Sequence, residues 1–120
     1  MSRGGFKSLL AWQKAQDLAV EIYEMTQLTG WAQHRPLIDQ MRRAAISVPT
    51  NIAEGDERDT DRDSVRFMYI AKGSVAELRS QLDLACRIGL ISREMFLGTD
   101  QRCEEVARIL RGLIKARSPS

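Results

Sequence analysis

The stretch DRDSVRFMYIAKGSVAELRSQLDLACRIG, residues 61–89, places apolar or small side chains at Phe67, Ile70, Ala71, Ser74, Leu78, Leu82, Ala85 and Ile88. Spacings of three and four put these residues on one face of an α-helix. Tyr69, Lys72, Arg79, Asp83 and Arg87 fall on the other. Thr60 is placed to cap the helix, and Asp61 and Asp63 then lie in its first turn, where the helix dipole favours negative charge. Some 29 residues at 1.5 Å each predict a rod of about 43 Å, a length that suits a helical bundle. Gly73 in mid-helix costs about 1 kcal/mol against alanine. With Ser74 beside it, it predicts close approach of another helix.

The same period extends in both directions. Downstream, Ser92 is a candidate cap, Gly98 and Thr99 threaten the first turn, and Cys103, Val106, Leu110 and Leu113 follow a seven-residue repeat with Ile114 beside them. Residues 118–120 read as a frayed tail. Upstream, Pro36 sits where a helix can begin, and Leu37, Met41, Ala44, Ala45, Val48 and Ile52 form an inner face that closes at Gly55. Pro49 falls inside this pattern. It lacks a backbone donor and its ring crowds the preceding turn, so a kink or break is expected near residues 47–50. Nearest the N-terminus, Trp12, Ala15, Ala19, Ile22 and Thr26 repeat at helical spacing, and Ala11, Leu18 and Met25 widen the stripe beyond half the circumference. An arc that broad suits either a deeply buried helix or an interface between subunits. Gly30 follows as the left-handed residue past a helix end.

The reading is therefore all-α: an antiparallel up-and-down four-helix bundle spanning residues 1–120 as one domain, with helices at roughly 8–28, 36–54, 61–89 and 92–116. No strand-like alternation occurs. With 43% hydrophobic and 28% charged residues, the composition is that of a globular protein able to bury its own core. No apolar run is long enough for a bilayer, and no signal core follows the first residues, so a cytoplasmic protein with no membrane partner is expected. In that compartment Cys86 and Cys103 are expected to be reduced and buried.

The net charge of +2 is too small to argue for nucleic acid alone, but the charge is segregated. Residues 54–63 hold six acids and two arginines, residues 101–120 five bases and two acids, and the first fourteen residues three bases and no acid. Arg108, Arg111 and Lys115 share a side of the fourth helix. With Arg117 and the basic N-terminus they could contact phosphates, or form a solvated face. No aromatic residue interleaves with them, as stacking on single strands would require.

Little else suggests chemistry. Asp59, Asp61 and Asp63 imitate the start of a calcium loop, but Ser64 stands where glycine is needed and Ile70 where a bidentate acid is needed. His34 is the single histidine, which argues against a zinc site and a nucleophile–base pair. No phosphate loop is present. No catalytic residue, cofactor or metal site is assigned. The most unusual stretch is QMRRAAISVPTNIAEGDER, residues 40–58. Arg43, Asn51, Glu54 and Arg58 fit either a buried polar network or a ligand or partner site.

Two motifs carry a resemblance. FKSLLAWQKAQDLAVEIYEMT, residues 6–26, presents Leu10, Trp12, Gln13, Lys14, Ala15, Leu18 and Tyr23; residues 40–55 present Gln40, Arg43, Ala44, Ser47, Pro49, Asn51, Ile52, Ala53, Glu54 and Gly55. Both resemble the four-helix bundle proteins related to those encoded in bacterial 23S rRNA intervening sequences, the S23 ribosomal protein-like family. Phe67, Ile70, Ala71, Gly73, Ser74, Glu77, Leu78 and Leu82 also fit, whereas residues 31–36 depart from the acidic turn usual in that family. The resemblance implies a homopentamer with a central opening and no defined biochemical role. Trp12, Tyr23, Gly73 and Ser74 are the residues expected at oligomer or helix–helix contacts. Distant relatives that accompany reverse transcriptases suggest RNA, or an RNA-handling protein, as a partner. The expectation is a non-enzymatic oligomeric scaffold or adaptor. The alternatives are a small-molecule or enzymatic site around Arg43, Asn51 and Glu54, and a purely structural oligomer.

Overall fold

The structure, a computed structural model, describes residues 5–118. Arg3 of the basic N-terminus and Pro119 and Ser120 of the expected frayed tail lie outside the described residues. A 3-10 turn, Phe6–Ser8, leads into α1 (Leu10–Met25), α2 (Arg35–Asp56), α3 (Asp61–Arg87) and α4 (Arg93–Arg117), and no strand occurs among the described residues. α2 packs on α1 and α3, and α4 packs on α3 and α1, closing a four-helix ring 46 Å long and 20 Å across.

Local chemistry sets the helix ends. Thr60 Oγ1 accepts from the Asp63 N–H at 3.2 Å and Ser92 Oγ from the Met95 N–H at 3.0 Å, as their positions predict. α3 stops at a Schellman motif: Gly89 takes φ +84°, its N–H reaches the Cys86 carbonyl, and the Leu90 N–H reaches the Ala85 carbonyl. Gly30 is left-handed at φ +102°, as expected, but α1 has already ended at Met25. The Thr26 hydroxyl there donates to the Ile22 carbonyl, and Trp31 turns back to be fully buried, which pulls residues 26–34 off the helical path. At the other end, extended backbone at Leu9 separates the 3-10 turn from α1.

Two expected breaks do not occur. α2 is unbroken through Pro49, which is buried. Packing of α2 against both α1 and α3 outweighs the lost backbone donor. α4 likewise runs through Gly98 and Thr99, because Thr99 is buried and its hydroxyl donates to Glu21 Oε2 of α1 at 2.8 Å.

The core holds Ile22, Met41, Ile52, Leu78, Leu82 and Leu110, all fully buried. The inner face of α3 is rotated relative to its predicted stripe. Met68 and Val75 are buried, Phe67 is half-buried, and Ile70 and Ile88 are exposed. α3 packs on α2 along one flank and α4 along the other, so its most enclosed line runs between them, through Ala71, Val75, Leu78 and Leu82. Ile38 replaces Leu37 as the buried residue opening α2 for a similar reason. Cys103 is buried and Cys86 only half-buried, and both are free thiols. No helix among the described residues is long and apolar enough to cross a membrane.

Candidate functional site

The residues singled out between 40 and 58 do not converge. Arg43 is exposed; its guanidinium donates to Gln40 Oε1 at 2.9 Å and to Glu77 Oε2 of α3 at 3.3 Å. Asn51 donates from Nδ2 to the Ser47 carbonyl and hydroxyl at 2.8 and 2.9 Å. It does not reach the Ala45 carbonyl, which is the acceptor freed by Pro49. Glu54 pairs with Arg58 at 2.8 Å, one turn apart, and the Arg58 guanidinium lies over the Phe67 ring at 4.4 Å. These are three separate contacts on a partly exposed surface rather than one buried network. Arg43 and Asn51 line one open groove, with Tyr23 and Arg42; Glu54 lines another, with Trp12 and Phe6.

The close approach expected at Gly73 and Ser74 is made at Ser74 but not at Gly73. Ser74 Oγ donates to Ser47 Oγ across the α2–α3 seam at 2.8 Å, but a Cβ on Gly73 would meet nothing within 4 Å. The tight glycine is Gly55. A Cβ there would come within 3.0 Å of the Ser64 carbonyl oxygen and the Phe67 Cβ. Residue 55 is thus a packing position inside α2, not its closing signal.

The basic face of α4 is also redistributed. Arg117, expected to reach phosphates, is only 8% exposed. Its guanidinium donates to Asp56 Oδ1 and to Ser64 Oγ, each at 2.9 Å, and the Asp56 side chain is wholly buried. Position 117 lies on the same side of α4 as Leu110 and Ile114, which turns it inward. Sequence spacing alone placed it among the outward bases because an isolated buried arginine requires a partner, and Asp56 is distant in the chain. Arg111 is exposed but held at 2.8 Å by Glu104 Oε1. Arg108 and Lys115 are exposed and have no ion pair among the described residues.

Between α3 and α4 lies an open furrow of about 480 Å³, lined by Tyr69, Lys72, Gly73, Ala76, Arg79 and Arg111, among others. Its inner end is fixed by a four-residue cluster. Arg79 binds Asp100 through Nε and Nη2 at 2.8 and 3.1 Å and Glu104 through Nη1 at 2.7 Å, and Glu104 also accepts from Arg111. The bonds to Asp100, against some burial, raise the Arg79 pKa, and Arg111 with Arg79 holds the Glu104 carboxyl below its ordinary value. Tyr69, which sequence spacing put simply on the outer face of α3, is 56% exposed at the other end of this furrow.

α1 is tied to α4 by Glu21, which accepts from both Arg102 and Thr99. Burial works to raise the Glu21 carboxyl, but the bonds from Arg102 and Thr99 and the Arg102 charge together lower it. Burial, with the neighbouring Asp100 charge, pushes the Cys103 thiol up to about 12. It stays protonated at neutral pH and is a poor nucleophile. Among the described residues no group of His, Cys, Asp and Glu is placed to hold a metal ion.

Comparison with known proteins agrees with this architecture. The chain is similar in structure to a protein of unknown function from the S23 ribosomal protein family of Bacteroides thetaiotaomicron VPI-5482. The two superpose with a TM-score of 0.82 at 23% identity, covering 88% of this chain and 99% of that one. No match was found among curated proteins. Residues 7–112 match the family model for the 23S rRNA-intervening sequence protein. The chain therefore belongs to the 23S rRNA-intervening sequence protein family.

Proposed function

We propose that this protein is a non-enzymatic, cytoplasmic scaffold that works as a closed ring of identical subunits, with five copies as the number its family resemblance implies. The observation that carries this reading is the furrow along α1 and α2. One groove of about 370 Å³ is lined by Gln16, Val20, Tyr23, Ile46, Pro49 and Thr50, among others. It runs into a second beside Trp12 through shared residues Gln16, Pro49 and Thr50. It runs into a third beside Arg43 through Tyr23, Ile46 and Thr50. Within it Val20 is 54% and Ile46 44% exposed, although both lie on otherwise well-packed helices. Fully burying an exposed aliphatic side chain contributes about 1.5–3 kcal/mol, so a helix of a second copy laid on these two half-exposed ones would gain about half of that from each. Most of the broad arc on α1, including Leu18, Ile22 and Met25, is used within the single bundle, which leaves Val20 and its surroundings for an interface.

The absence of converging polar groups around Arg43, Asn51 and Glu54, the protonated Cys103 thiol and the single histidine support a non-enzymatic role. Sedimentation velocity at about 10 µM tests the assembly. The expected species has about five times the chain mass of 13.6 kDa, and Val20→Glu with Ile46→Glu should reduce it to a folded monomer. A wild-type protein that sediments as a monomer would overturn the reading.

A further inference from the structure

We infer that the furrow between α3 and α4 binds single-stranded nucleic acid, with one base seated against Tyr69 and neighbouring phosphates held by Lys72, Arg108 and Lys115. This does not rest on assembly into a ring, because every residue involved belongs to one chain.

The argument starts from shape. Tyr69 and Gly73 are one turn apart on α3, so the surface one turn along from the tyrosine carries no side chain of its own. A Cβ at Gly73 would meet nothing within 4 Å, and Ala76 and Ala107 keep the remaining floor low. The result is a shallow slot with one aromatic wall. Its volume of about 480 Å³ falls within the range of roughly 300–1,000 Å³ typical of small-ligand clefts. A slot of small residues beside an exposed ring suits a flat partner, and bases of every kind present a π-face to stack.

Charge adds the second part. Asp100 and Glu104, at the inner end of the furrow, are both engaged by Arg79, and Glu104 also by Arg111. The Lys72 ammonium lies over one face of the Tyr69 ring, 6.0 Å from its centroid, which leaves the other face for a base. Arg108 and Lys115 continue outward from Arg111 on the same side of α4, without acid partners among the described residues. At its outer end the furrow meets a second groove through the shared Tyr69, lined by Arg62, Asp63 and Arg66, among others. A strand following this line would pass bases over the ring and phosphates along the cations. A duplex would not fit, because its bases are already stacked inside. The aromatic residue missing from the basic face of α4 is supplied across the seam by α3.

Binding of a fluorescein-labelled oligouridylate of about 20 nucleotides, read by anisotropy between roughly 50 and 200 mM salt, tests the inference. The wild type should bind the strand and should weaken as salt rises. Tyr69→Ala should weaken binding by about fivefold to a hundredfold, with Tyr69→Phe close to wild type. Lys72→Ala, Arg108→Ala and Lys115→Ala together should flatten the salt dependence. These side chains are exposed or half-buried, and circular dichroism checks that each variant stays helical. Failure of the wild type to bind, or equal binding by Tyr69→Ala, would overturn the inference. A matched duplex binding as tightly as the strand, or uridine monophosphate competing as well per mole, would also overturn it. Sedimentation of the same samples reports on the ring separately.

Discussion

The two flanks of α3 are built on opposite plans. Towards α2, small residues let the backbones come together: Gly55 has no room for a Cβ, and Ser47 and Ser74 bond hydroxyl to hydroxyl across the seam. Towards α4, the helices are joined by long side chains, Arg79 with Asp100 and Glu104, and an open furrow remains beside them. Each flank carries a helical glycine, and the two have opposite meanings. Gly55 is required by a neighbour, whereas Gly73 leaves space that nothing in the chain fills. Close packing makes a seam hard to alter, and long charged side chains make one that can stay open to solvent and to other molecules.

The largest expected effect lies where both flanks meet at one end of the bundle. Arg117 of α4 bonds Asp56 of α2 and Ser64 of α3 with almost no exposure. Arg117→Ala leaves a buried carboxylate uncompensated and should cost about 3–5 kcal/mol in urea unfolding, a large share of a typical domain's stability. Replacing both partners, with Asp56→Leu and Arg117→Met, should recover most of that. If the single variant is as stable as wild type, this end of α4 is not held as described.

The glycines test the contrast itself. Gly55→Ala should lose about 1–3 kcal/mol, because the Ser64 carbonyl is backbone and cannot easily yield. Gly73→Ala should gain about 1 kcal/mol, the helix-propensity difference in open space. Thermal melts of the two variants should therefore shift in opposite directions, and a shift of the same sign would break the comparison. On the open flank, Arg79→Ala should change stability by about 1 kcal/mol or less, since its ion pairs are partly solvated and screened by salt.

The smallest effect concerns Glu21, which joins α1 to the other side of α4. Its carboxyl is lower in the folded state than in the unfolded chain. Its contribution is therefore complete above the ordinary carboxylate value of about 4.3 and is lost as pH falls through the lower folded value. With the group partly solvated, this should amount to well under about 1 kcal/mol. The stability difference between wild type and Glu21→Gln should shrink in acid, and a difference that grows there would reverse the assignment.

Helix number and the helix starts were legible because each depends on residues close in sequence, as Thr60, Ser92 and Pro36 illustrate. The rotation of the α3 face was not, because it depends on which two neighbours α3 packs between, and a periodic stripe specifies only that some face is inward. Gly55 looked like a helix stop, since glycine ends helices and also lets them touch, and only the position of Ser64 and Phe67 separates the two uses. Arg117 was grouped with the outward bases of α4 because its partner, Asp56, is distant in the chain. The furrow at Tyr69 combines two helices, and neither one alone shows both the ring and the cations.

The Asp56–Arg117 pair also bears on how the protein is made. The two residues are 61 positions apart, so during synthesis Asp56 is available long before its counter-charge exists. A nascent chain can form α1, α2 and α3 while that carboxylate still faces water. The end of the bundle cannot close around it until α4 is nearly finished. A chain cut short between residues 56 and 117 would retain a charge that it must either hydrate or bury alone, and is expected to be degraded sooner than its missing length alone would suggest.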